Sequence, residues 1–124
     1  EIGPGDTVVT TPLSFVATAN AIRLCGAEPA FADIDPATLN VDPDSVRESI
    51  AARDGAVDAI LAVHLYGLPA EMAELQSIAD EYGIPAVTNV GKRGGSGLAA
   101  ALTNELIHVA SDVHDGEVDL TAHE

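Results

Sequence analysis

The sequence predicts an α/β protein with three layers, built on a mostly parallel sheet with helical crossovers. Three observations carry this. Short β-branched or aliphatic runs alternate with helix-period runs between residues 7 and 90. The run at 57–63 (VDAILAV) is apolar enough for a strand covered on both faces. Start and stop residues fall between the runs: Asp42-Pro43 opens a helix, while Gly26, Gly55 and Gly83 close helices.

The elements follow in order. Residues 7–11 (TVVTT) form a strand, because β-branched side chains suit a pleated surface. Ser14 is expected to cap the next helix, with Phe15, Val16, Ala19, Ile22 and Cys25 on its inner face and Gly26 at its end. Residues 28–34 (EPAFADI) form the second strand, and Asp35-Pro36 starts a loop. Asp42 and Pro43 then open a helix that turns Val46 and Ile50 inward. After the strand at 57–63 comes a loop, His64-Leu-Tyr-Gly-Leu68. Pro69 begins a helix with Met72, Leu75, Ile78 and Tyr82 on one stripe, and residues 85–90 form the last strand.

Beyond residue 90 the character changes, which divides the chain into regions 1–90 and 91–124. Residues 91–97 (GKRGGSG) read as a loop that holds two of the five cations. Residues 98–105 favour a helix, and 106–110 continue it or form a strand. Residues 111–124 are acidic, poor in apolar residues, and read as a frayed tail.

Composition narrows the function. Hydrophobic residues make up 47% of the 124, but aromatics only 3%, so the core is built from Ala, Val, Ile and Leu. Twenty acidic residues face five basic ones, a formal charge of −15. That surface repels phosphate backbones and anionic lipid, which argues against nucleic-acid and membrane partners. The acids are spread along the chain and Lys92 is the single lysine, which favours a salt-adapted, halophilic cytoplasm over a dedicated acidic partner surface. Cys25 is alone and reads as a small core residue. The opening Glu1-Ile-Gly-Pro-Gly-Asp6 lacks signal-peptide features, and no apolar run approaches the ~20 residues of a membrane span. The expectation is a soluble, cytoplasmic protein.

Five strings then occur in a fixed order: Gly3-Pro-Gly-Asp-Thr-Val-Val9, Pro12-Leu-Ser-Phe-Val-Ala-Thr-Ala-Asn-Ala21, Phe31-Ala-Asp-Ile-Asp-Pro36, Leu39-Asn-Val-Asp-Pro43 and Val63-His-Leu-Tyr-Gly-Leu-Pro-Ala70. With these spacings, residues 3–87 resemble the DegT/DnrJ/StrS family of aminotransferases that use pyridoxal 5'-phosphate (PLP). The resemblance implies a fragment of the large domain of a fold-type I transaminase. It implies amino transfer from an amino acid, commonly glutamate, to a nucleotide-linked keto sugar in polysaccharide or sugar-nucleotide biosynthesis. It also implies a homodimer, with sites shared at the interface.

The same resemblance assigns cofactor-binding positions. Phe15 stands where the family sets an aromatic ring against the PLP ring; the competing reading makes it a core residue at a helix start. Where the family would run Glu-Asp-Ala-Ala-Gln, the run here is Thr88-Asn-Val-Gly-Lys92. Asn89 therefore stands where a carboxylate would keep the pyridine nitrogen protonated, and a neutral amide cannot stabilise that charge. Lys92 stands where a glutamine would contact the ring hydroxyl. The family's Schiff-base lysine lies well downstream of the matching region and its phosphate-holding segment upstream. Lys92 is the one amine left to serve as a remote substitute. The expectation is that this chain is inactive alone: a gene remnant, or a subunit completed by another chain.

Other constellations are weaker. Gly95-Ser-Gly-Leu-Ala-Ala100 with Asp112 outlines a dinucleotide fingerprint, and Lys92 and Arg93 are placed to hold phosphate. A solvated linker explains the same residues, so nucleotide binding at 91–97 stands as an alternative. His108, His114 and His123 among acids suggest a metal, but no spacing matches a closed site and a solvated tail is preferred. His64, after a strand, reads as a structural loop residue.

Overall fold

Adjacent valines at the centre of a short strand require apolar cover on both sides of a sheet, and Val8 and Val9 receive it. The structure is a computed structural model that describes residues 1–88. Its elements are β1 (Thr7–Thr10), α1 (Ala17–Leu24), β2 (Glu28–Phe31), α2 (Pro43–Ala51), β3 (Ala59–Leu61), a single 3₁₀ turn (Leu65–Gly67), α3 (Met72–Tyr82) and β4 (Ala86–Val87). The four strands run in the order β2-β1-β3-β4, and every neighbouring pair is parallel. The boundary proposed at residue 90, and all that follows it, lie outside the described residues.

The layers follow from the strand order. The chain steps one way from β1 to β2, then the other way to β3 and β4. Crossovers of constant hand therefore put α1 on one face and α2 with α3 on the opposite one. The packing agrees: α1 lies on β1 and β2, whereas α2 and α3 touch each other and cover β1, β3 and β4. The main core lies on that second face, where Val9, Val46, Ile50, Ile60, Leu75 and Ile78 are sealed from solvent. Across the sheet, Val8, Ile22, Ala27 and Ala59 make a smaller cluster beneath α1. Among the described residues no helix extends that cover over β3 and β4. An open apolar hollow of about 430 Å³ lies there, lined by Val8, Ile22, Cys25, Leu61 and Val87 among others.

Helix boundaries show which local signals operate. Asp42 caps α2 as its sequence predicts, accepting from Ser45 N–H at 3.2 Å and from the Ser45 hydroxyl at 3.0 Å. Ser14 does not cap α1. Thr11 Oγ1 accepts from Leu13 N–H at 3.2 Å and holds the preceding turn. Val16 is the residue at the cap position, with no side chain capping the helix, and Ser14 instead pairs its hydroxyl with that of Thr18 at 2.9 Å. Phe15 and Val16 are consequently 64% and 63% exposed rather than part of an inner face. Pro69 likewise precedes the helix, which starts at Met72. Tyr82 leaves the expected stripe: it is the last residue of α3 and is 37% exposed, whereas Leu75 and Ile78 are buried.

Strands are shorter than their apolar runs. After β2 the chain turns at once, and Ile34 forms an antiparallel bridge with Val41. Gly26 closes α1 at φ +83, and a Cβ there would sit 2.9 Å from Pro4 Cγ. Gly83 closes α3 at φ +66 with nothing within 4 Å of such a Cβ. Gly83→Ala should therefore cost about 1 kcal/mol of backbone strain, and Gly26→Ala about 2–3 kcal/mol because overpacking is added. Urea unfolding of the two variants checks this, and equal losses would mean that Pro4 yields freely.

Candidate functional site

Strand order reverses at β1, whose partners β2 and β3 are reached by crossovers on opposite faces. In open parallel sheets this reversal opens a crevice outside the carboxyl ends of the strands. Thr10, the last residue of β1, is almost fully buried and donates its hydroxyl to Leu61 O, the end of β3, at 2.8 Å. That bond ties the two strands together at the crevice floor. Beyond β1 the chain passes through the Thr11 turn to Phe15. The core reading of Phe15 is corrected here: its ring stands in solvent, available to a ligand or a further part of the fold.

The segment after β3 is held by side chains rather than by strand or helix pairing. Asn40, 3% exposed, donates from Nδ2 to Leu68 O at 3.0 Å and to Pro69 O at 3.2 Å. Its Oδ1 accepts from Leu65 N–H at 2.9 Å. His64 uses both ring nitrogens: Nδ1 accepts from Ala70 N–H at 3.0 Å, and Nε2 lies 2.9 Å from Thr88 Oγ1. A backbone N–H can only donate, so Nδ1 carries a lone pair. In the neutral ring the proton is then on Nε2, and the Thr88 oxygen is the acceptor. His64 is thus structural, as its sequence context suggests. At the apex Tyr66 adopts φ +52 and is 94% exposed.

Cys25 lies half-buried at the end of α1, and burial pushes its thiol up from the ordinary range. That makes it a poor nucleophile at neutral pH. Asn89, Lys92, the 91–97 loop with its Gly95–Ala100 fingerprint, and His108, His114 and His123 lie outside the described residues. What sequence reasoning missed are Thr10, Asn40 and Thr88. Asn40 carries a usable signal, an amide between the apolar Leu39 and Val41 just before a helix cap. Thr10 looks like any β-branched strand residue, and Thr88 pairs with a residue of the connection between β3 and α3, far from it in sequence.

The arrangement is that of a doubly wound α/β domain, with the strand order reversing at β1. The chain belongs to the DegT/DnrJ/EryC1/StrS aminotransferase family, whose model matches residues 1–96. It is 40% identical over 95 residues to UDP-2-acetamido-2-deoxy-3-oxo-D-glucuronate aminotransferase of Pseudomonas aeruginosa, covering 77% of this chain and 26% of that one. It is 43% identical over 83 residues to the spore coat polysaccharide biosynthesis protein SpsC of Bacillus subtilis, covering 67% of this chain and 21% of that one. The structure of NtdA from Bacillus subtilis with bound cofactor PMP superposes with a TM-score of 0.63 at 38% identity, over 68% of this chain and 19% of that one. The chain thus spans about a quarter or less of these proteins and corresponds to a fragment of the aminotransferase large domain. Among the described residues no helix is long and apolar enough to cross a membrane.

Proposed function

We propose that these residues form the cofactor-facing part of a PLP-dependent aminotransferase that acts on a nucleotide-linked keto sugar. The observation that carries the reading is Phe15: an exposed aromatic ring just past the carboxyl end of β1, beside the crevice, in a chain of this family. The sugar class is supported by the P. aeruginosa relative, whose name gives a UDP-linked keto sugar acid as substrate.

The described residues fit one wall of such a site. Phe15 offers an apolar face for the cofactor ring, while Thr10, Asn40 and His64 fix the segments around it. Bound PLP would supply the electron sink for amino transfer. Asn89 would offer the ring nitrogen an uncharged hydrogen-bonding group, and Lys92 would approach its hydroxyl. Lys92 is the single lysine and does not stand at the family's Schiff-base position, so these 124 residues alone should have no turnover, and activity would need a chain that supplies that lysine.

PLP titration in molar salt tests this. Saturable binding is expected, weakened about 5- to 10-fold by Phe15→Ala through the lost ring contact, with no lysine-bound absorption band after dialysis. An absence of saturable binding would sink the cofactor reading. A band that survives dialysis and disappears in Lys92→Ala would instead overturn the claim that the chain is inactive alone.

A further inference from the structure

We propose that Asn40 is a positioning residue for this crevice, acting through His64 on the Thr88 hydroxyl. The hydrogen bonds stand on their own geometry; that a cofactor or substrate benefits from them rests on the aminotransferase reading above.

Asn40 belongs to the crossover between β2 and α2, yet three backbone groups of the segment after β3 are satisfied by its one side chain. A buried amide with three partners is costly to disturb, because each lost partner leaves a polar group unpaired away from water. The brace holds both flanks of the turn in which Tyr66 keeps its left-handed backbone, a conformation that strains a residue with a Cβ. With the segment closed in this way, Ala70 N–H reaches His64 Nδ1. The amide thereby selects the tautomer with its proton on Nε2, and that proton goes to Thr88 Oγ1. The Thr88 hydroxyl, already accepting, keeps its own proton to donate. The chain of effects runs from a carboxamide to a backbone amide, to an imidazole, to a hydroxyl fixed as a donor at the end of β4.

Nitrogen NMR of the 15N-labelled chain in molar salt reads each link. The His64 signals are picked out from the four histidines by comparison with His64→Gln. The unsubstituted chain should show Nδ1 bare and Nε2 protonated. Asn40→Asp preserves shape but puts an acceptor against the Leu68 and Pro69 carbonyls. It should give averaged His64 tautomers and about tenfold faster exchange of the Ala70 amide. Thr88→Val should leave Nδ1 bare, because the segment still holds it. A proton found on Nδ1 in the unsubstituted chain, an unchanged tautomer in Asn40→Asp, or a scrambled one in Thr88→Val would each overturn the proposal. Protection of the Val9 and Ile60 amides reports whether Asn40→Asp stays folded; if it does not, Asn40→Ser, which also removes the bonds to the Leu68 and Pro69 carbonyls, is read by the same two signals, and an unchanged His64 tautomer in it would overturn the proposal. None of these signals needs PLP, so this test and the cofactor test fail separately.

Discussion

Ile50→Ala is expected to destabilise the chain by about 2–5 kcal/mol, a large part of the stability of a small domain. Ile50 is sealed from solvent where α2 meets the sheet, packed in one cluster with Val9, Val46, Ile60, Leu75 and Ile78. Aromatics make up only 3% of the sequence, so no large ring is at hand to collapse into the space left behind. Urea unfolding in molar salt measures the loss. Val16→Ala is the control: Val16 is 63% exposed, and its truncation should change stability by no more than about 0.5 kcal/mol. A loss below about 1 kcal/mol for Ile50→Ala would mean that the α2–α3 layer is not closed on the sheet as described.

The second large effect is that of salt. With a formal charge of −15, the folded chain repels itself, and added salt shortens the reach of that repulsion from about 10 Å at 0.1 M to about 3 Å at 1 M. Salt also weakens the ion pairs Arg23–Glu28 and Arg47–Glu81, but these are well exposed and such pairs contribute little. Relief of repulsion therefore wins, and the chain should be expanded or unfolded at low salt and folded at molar salt. Circular dichroism across that range gives the answer. A spectrum that does not change, or one that loses helix as salt rises, would refute the salt-adapted reading.

Much of the fold was legible because its signals are local and one-dimensional. The β-branched run at Thr7, the Asp42-Pro43 cap and the Leu75–Ile78 stripe each state their element without help from the rest of the chain. The parallel sheet followed from alternation and the fixed hand of crossovers. The errors arose where a neighbour in space decided. Thr11 holds the turn that Ser14 was expected to enter as a cap, and Tyr82, at the last position of α3, is left partly exposed. The candidate site was legible as a place, through Phe15 and the end of β1. The Asn40–His64–Thr88 connection was not, because it joins two crossovers and the end of β4 by hydrogen bonds that leave no periodic trace in sequence.

The parallel sheet has a consequence for how the chain is made. Its rungs join Thr7 to Glu28, Ile60 to Ala86 and Val8 to Ala59, and the bond from Thr7 N–H to Asp58 spans 51 residues. No hairpin can nucleate such a sheet, and each crossover must close before its strands can align. During synthesis β1 leaves the ribosome before β2 and β3, and its second edge stays unpaired until β3 has followed. An interior strand of the described sheet is therefore exposed to wrong partners while its second neighbour is still being made. Its length of four residues keeps that unpaired edge short for the interval.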